Sequence, residues 1–185
     1  MTTTQDLPVT LADLEDGMFT LRAVDPDADL ATVHAWMNDP QVARFWETAE
    51  PAEKIGEYLR GQLASSYSTP YIGCLDGTPM SYWELYRADL DPLLSGRYDA
   101  VPHDAGVHLL LGPSDVRGRG LGADLLRAVS GWQLTSLPDA RRVVAEPDVR
   151  NVRSVRVFER AGFRKVREID LADKRAALMV RERTV

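Results

Sequence analysis

Two spacings of apolar residues alternate along the chain, one typical of strands and one of helices, and the switches between them predict the elements. Phe19-Thr-Leu-Arg-Ala-Val24 alternates and reads as a first strand, closed by Asp25-Pro26. Leu30, Val33 and Trp36 then stand at helical spacing, with Asp27 or Asp29 as cap, until Asn38-Asp39-Pro40 breaks the helix. Val42–Trp46 reads as an aromatic-rich connector. Pro51 opens a second helix to about Ser65, with Ile55, Tyr58, Leu59 and Leu63 on its apolar face. Tyr71–Leu75 and Met80–Tyr86 are strands joined by the hairpin signal Asp76-Gly77. Residues 87–102 form a polar loop, long enough to suggest a function of its own. Val107–Leu111 is a buried strand ended by Gly112-Pro113. A helix over 120–136 follows, with Leu121, Leu125, Val129 and Trp132 on one face. Arg142–Glu146 is a short strand, a helix over 151–161 turns Val152, Val155 and Phe158 inward, and 163–171 with 175–181 close as a hairpin. Residues 1–17 are polar and lack a period, so they are expected to be loose. The order β-α-α-β-β-β-α-β-α-β-β is that of an α/β chain with a mixed sheet.

Composition narrows the partners. A chain of 185 residues with 44% apolar and 27% charged content is expected to form one domain over 1–185. A net charge of −6 disfavours nucleic acid, whose binding depends on neutralising phosphates. The single Cys74 excludes an internal disulfide and a multi-cysteine metal centre, and no zinc-ligand spacing occurs, so no metal is expected. No apolar run is long enough to span a membrane and no leader pattern opens the chain, so a cytoplasmic protein is expected, with a homodimer allowed.

The candidate chemistry centres on 103–122, HDAGVHLLLGPSDVRGRGLG. A glycine-rich turn between a strand and a helix N-terminus leaves backbone N–H groups at the positive end of the helix dipole, which suits an anion; a plain connecting loop is the alternative. Arg117 and Arg119 beside it suit a phosphate. The spacing Arg117-x-x-Gly120-x-Gly122 resembles the acyl-CoA pyrophosphate loop of the GNAT acetyltransferases. Downstream, Asn151, Ser154 and Ala161-Gly162-Phe163 resemble the second motif of that family, in the right order. The resemblance implies a GNAT fold, a central mixed, mostly antiparallel sheet flanked by helices. It also implies acyl-CoA (acetyl-CoA or succinyl-CoA) as co-substrate. Its contacts would come from Leu109, Leu110, Leu111, Arg117, Gly118, Arg119, Gly120, Leu121, Gly122, Asn151, Ser154 and Phe158. Phe158 stands where many members carry a tyrosine as general acid for the leaving thiolate, so here another group supplies that proton or the thiolate leaves unaided.

His34-x-Trp36-Met-Asn-Asp-Pro40, Trp46, Tyr82–Tyr86 and Gly106-Val-His108-Leu-Leu-Leu-Gly-Pro113 resemble the siderophore-biosynthesis acyltransferases of the family. These acylate an N-hydroxylated amine, either N6-hydroxylysine or N-hydroxycadaverine, to a hydroxamate by direct attack. On that resemblance His108 is the catalytic base; a histidine on a core strand is otherwise structural. Asp148 orients the imidazole or holds the hydroxyl, or else is a turn residue before a helix. A backbone N–H near Leu109–Leu111 stabilises the oxyanion. Trp46, Trp83, Glu84 and Tyr86 are candidates for the acceptor wall, Glu84 for a distal ammonium, although aromatics on strands commonly pack in the core. Cys74 reads as a small buried hydrophobe, and His34 and His103 have no evident role. Two other readings compete: an aminoglycoside 6′-N-acetyltransferase, whose members share the early Trp motif and a stretch like Thr69-Pro-Tyr-Ile72, and a CoA-binding module without activity.

Overall fold

The computed structural model describes residues 8–46 and 49–184, and its strands form one eight-stranded sheet in the order β1-β2-β3-β4-β5-β6-β8-β7. The strands are β1 Val9–Leu14, β2 Gly17–Ala23, β3 Ser68–Leu75, β4 Thr78–Arg87, β5 Ala105–Leu111, β6 Arg142–Ala145, β7 Arg164–Asp170 and β8 Arg175–Glu182. The helices are α1 Leu30–Met37, α2 Pro40–Trp46, α3 Ala52–Ala64, α4 Leu121–Ser136 and α5 Val152–Arg160. β1–β2, β2–β3, β6–β8 and β7–β8 pair antiparallel, while β5 and β6 run parallel. The mixed, mostly antiparallel sheet with helices matches the expected fold class.

Of the described residues, 8–46, 49–65, Thr69–Trp83 and Leu109–Arg119 form one compact unit; Ser66–Ser68, Glu84–His108 and 120–184 form a second. In the first, α1 and α3 bury Val33, Met37, Ile55 and Leu59 against Ile72, Cys74 and Tyr82. Gly112 is required here, because a Cβ would lie 2.1 Å from the Trp36 ring. In the second, Tyr86, Leu94, Tyr98, Val144 and Leu178 share a cluster. The long loop after β4 is therefore pinned by its own side chains. The Tyr98 hydroxyl donates to Asp104 Oδ2 at 2.8 Å, and Arg142 Nε donates to Asp104 Oδ1 at 2.7 Å.

Several expectations are corrected. Residues 9–14, within the segment expected to be loose, form β1; residues 1–7 lie outside the described residues. The β1–β2 register shifts between Thr10 and Ala12, and that bulge hides the alternation a strand would otherwise display. The expected connector is the helix α2. Asp39 caps it, accepting the Gln41 N–H at Oδ1 (2.8 Å), and Pro40 occupies the first helical position, where a missing N–H costs nothing. Val152 and Leu63, assigned to inward faces, are exposed, because each lies in a terminal turn of its helix.

Candidate active site

Glu84 and Tyr86 alternate onto one face of β4, and Gly106 and His108 onto one face of β5. The absence of a side chain at Gly106 brings Tyr86 close, since a Cβ would lie 2.3 Å from its ring. The Tyr86 ring then rests against the His108 ring with centroids 4.7 Å apart. The parallel register pairs Gly106 with Val144, so two residues further along Glu146 falls opposite His108. Glu84 Oε2 lies 3.1 Å from His108 Nδ1, while Glu146 Oε1 bonds Nε2. The Tyr86 hydroxyl donates to Glu146 Oε2 at 2.7 Å and stands 3.2 Å from Nε2.

A neutral imidazole carries one N–H, yet both ring nitrogens here face a carboxylate, so two donated bonds require the imidazolium. The electrostatics agree. Burial pulls the His108 pKa down, but Glu146 and then Glu84 outweigh it and push it up to about 10. Burial raises the carboxyl of Glu146, and His108 outweighs that in turn, drawing it down to about 2. In the absence of an acceptor the imidazole therefore holds its proton, and the base role expected of His108 depends on its release. The His108 side chain is 31% exposed, against 6% for each of the two glutamates, and is the member of the cluster most open to solvent.

At the glycine-rich turn, Gly118 and Gly120 adopt φ of +85° and +89°, conformations that favour glycine, and α4 begins directly after. Its N-cap, Gly120, offers no side chain to the first N–H groups of the helix. Arg117 Nη2 donates to Asp39 Oδ2 at 2.5 Å, while its Nε and Nη1 are buried with no partner among the described residues. Arg119 pairs with Asp16. The register between β5 and β6 covers only Ala105↔Val143 and Gly106↔Val144, whereas β5 continues to Leu111. Orphan donors on a buried guanidinium suit an anion such as a phosphate.

The other predicted residues are dispersed. Asp148 is bound by Arg150 through both backbone and side chain, at 2.6–3.0 Å, and the acids on the imidazole are Glu84 and Glu146; its proposed role toward His108 is corrected. Trp83 is fully buried, its ring against Phe19 and its Nε1 donating to Ser81, because alternation turns it to the face opposite Glu84; it does not line an acceptor wall. Trp46 is half-buried, edge-on to Tyr82. Phe158 is buried on α5, its ring edge-on to Phe163. Asn151 caps α5, its Oδ1 accepting the Ser154 N–H at 3.1 Å. Leu109 and Leu111 are half-buried, Leu110 is buried, and so are Leu121 and Gly122 at the start of α4. Cys74 is buried and free, as expected. His103 N–H donates to Asp89 Oδ2 at 3.0 Å. Among the described residues, no group of three or more His, Cys, Asp or Glu is placed to hold a metal ion, and no helix is long and apolar enough to cross a membrane.

Residues 25–171 match the acetyltransferase (GNAT) domain family. The chain belongs to the GNAT acetyltransferases. Among relatives, Escherichia coli N(6)-hydroxylysine O-acetyltransferase is 38% identical over 167 residues, 90% of this chain and 52% of that protein. The chain thus spans about half the length of that relative. Lysine N-acyltransferase MbtK of Mycobacterium sp. (strain MCS) is 38% identical over 166 residues, 90% of this chain and 68% of that protein. The crystal structure of the aminoglycoside acetyltransferase AAC(6′)-Ib in complex with coenzyme A and kanamycin superposes with a TM-score of 0.79 at 30% identity, covering 89% of this chain and 95% of that one. Within this GNAT chain, two residues were missed by sequence reasoning. Glu146 was read as the end of a strand; its signal was its place at the carboxyl end of a strand parallel to that of His108, where ligands of α/β sheets gather. Asp39 was read only as part of a helix break, and its partner is 78 residues away.

Proposed function

We propose that this chain transfers an acyl group, acetyl or succinyl, from acyl-CoA to the nitrogen of an N-hydroxylated amine, N-hydroxycadaverine or N6-hydroxylysine, forming a hydroxamate for siderophore biosynthesis. The observation that carries the reading is the Glu84–His108–Glu146 cluster, which places one imidazolium between two carboxylates and so keeps a net negative charge. Such a cluster suits a small acceptor bearing an ammonium at its far end and a weakly basic nitrogen at the near one. The names of two relatives, an N(6)-hydroxylysine O-acetyltransferase and a lysine N-acyltransferase, support an acceptor of this kind.

The turn at Arg117–Gly122 and the edge of β5 beyond Gly106 hold the donor, and a backbone N–H of Leu109–Leu111 receives the developing oxyanion. An N-hydroxylated nitrogen is less basic than an alkylamine, so it arrives neutral and attacks the thioester carbon directly. Its proton becomes acidic as the bond forms, His108 takes it, and collapse of the adduct breaks the C–S bond and releases coenzyme A as the thiolate. For that the imidazole must first be neutral. A cationic acceptor that pairs with Glu84 cancels one of the two charges stabilising the imidazolium, and the His108 proton passes to solvent at its open edge. Glu146, fixed by the Tyr86 hydroxyl, keeps the ring in place throughout.

A thiol-release assay tests this with N-hydroxycadaverine, N6-hydroxylysine, cadaverine and kanamycin, each with acetyl-CoA and succinyl-CoA. The hydroxylated amines are expected to be the best substrates. Preferred release with kanamycin would favour the aminoglycoside reading, and no release with any acceptor would favour a non-catalytic module.

A further inference from the structure

The reading above leaves Asp39 without a role. Its carboxylate does two things at once: Oδ1 caps α2 through the Gln41 N–H at 2.8 Å, and Oδ2 holds Arg117 Nη2 at 2.5 Å. The Arg117 side chain is only 12% exposed, and Nε and Nη1 are buried without partners among the described residues. A guanidinium presents its five N–H groups in a fixed planar fork, so anchoring one nitrogen sets the direction of the other two. Buried donors without acceptors are costly, and a fork held in that state is prepared for an anion. The anchor is itself rigid. Asp39 follows directly on α1, whose Trp36 ring fills the space beside Gly112, and Gly112 N–H is tied to the Met80 carbonyl at 2.9 Å.

We propose that Asp39 is the positioning residue of the diphosphate loop. It holds the Arg117 fork so that Nε and Nη1 face the diphosphate of the acyl donor, and it makes the α1–α2 corner part of the donor site. This rests on the acyl-CoA reading of the loop.

Asp39→Asn separates the two roles of the side chain, because asparagine caps a helix about as well as aspartate but loses the charge that orients Arg117. The measured quantity is selectivity, the ratio of kcat/KM for acetyl-CoA to that for acetyl-pantetheine, which has the same thioester and arm but no diphosphate. Asp39→Asn is expected to lower that ratio about tenfold, the effect of losing one charge-assisted contact, and to weaken coenzyme A binding in calorimetry by a similar factor. Arg117→Lys keeps the charge but cannot bridge Asp39 and a phosphate at once, so it is expected to lower the ratio too; it serves as the second test if Asp39→Asn does not fold. Equal losses on both donors would overturn the proposal, since a structural or acceptor-side role predicts them. So would a normal ratio in Asp39→Asn alongside a lowered one in Arg117→Lys, which leaves the loop assignment standing. A normal ratio in both variants removes the loop assignment and this proposal with it.

Discussion

At His108 the chemistry turns on what holds its proton. With Glu84 on Nδ1 and Glu146 on Nε2, the ring in the free protein releases a proton only toward about 10. Since kcat/KM reports the free enzyme and kcat the loaded one, the two pH profiles are expected to differ. kcat/KM should climb about tenfold per unit through the neutral range. kcat should level off at lower pH, once an acceptor ammonium has drawn Glu84 away from the ring. Glu146→Gln removes the larger of the two stabilising charges, so its kcat/KM profile should shift toward lower pH. Profiles flat from pH 6 to 9 in the wild type would remove His108 as the base.

Between elements, the decisive contact is that of β4 with β5 at Gly106. A methyl group there meets the Tyr86 ring at 2.3 Å, and the ring is walled in by His108 and Glu146. Gly106→Ala is expected to cost about 1–3 kcal/mol in denaturant unfolding, the usual price of overpacking, and to lower turnover by displacing Tyr86 from Glu146. Unaltered unfolding and turnover would mean that the ring is free to move. What the sequence disclosed and what it withheld divide along the same lines. The strand–turn–helix at 105–136 was legible because its signals are local: an apolar run, a Gly-Pro stop and two glycines requiring left-handed backbone. Alternation along β4 separates Trp83 from Glu84, a period-two signal present in the sequence itself. β1 was obscured by its bulge, and α2 by a proline that starts one helix while ending another. Glu146 and Asp39 were withheld for a different reason: their partners, His108 and Arg117, are 38 and 78 residues away in the chain, and only the folded register brings them together.

For the molecule as a whole, the buried cluster makes stability depend on pH from both sides. The His108 pKa is raised in the fold from an ordinary 6.5 to about 10, so its contribution is complete below 6.5 and is lost as pH rises toward 10. The Glu146 pKa is lowered from 4.5 to about 2, so its contribution is complete above 4.5 and is lost as pH falls toward 2. Both are present together only between 4.5 and 6.5. The melting temperature of the wild type is therefore expected to exceed that of Glu146→Gln by its widest margin in that window, with the margin narrowing at pH 9 and again at pH 3. The arginine-bound Asp39 and Asp148 also sit below their ordinary carboxylate values. They reinforce the acid limb in both proteins alike, and so drop out of the difference between the two curves. A margin that stayed constant from pH 3 to 9 would mean that the His108–Glu146 pair is not ionised in the fold.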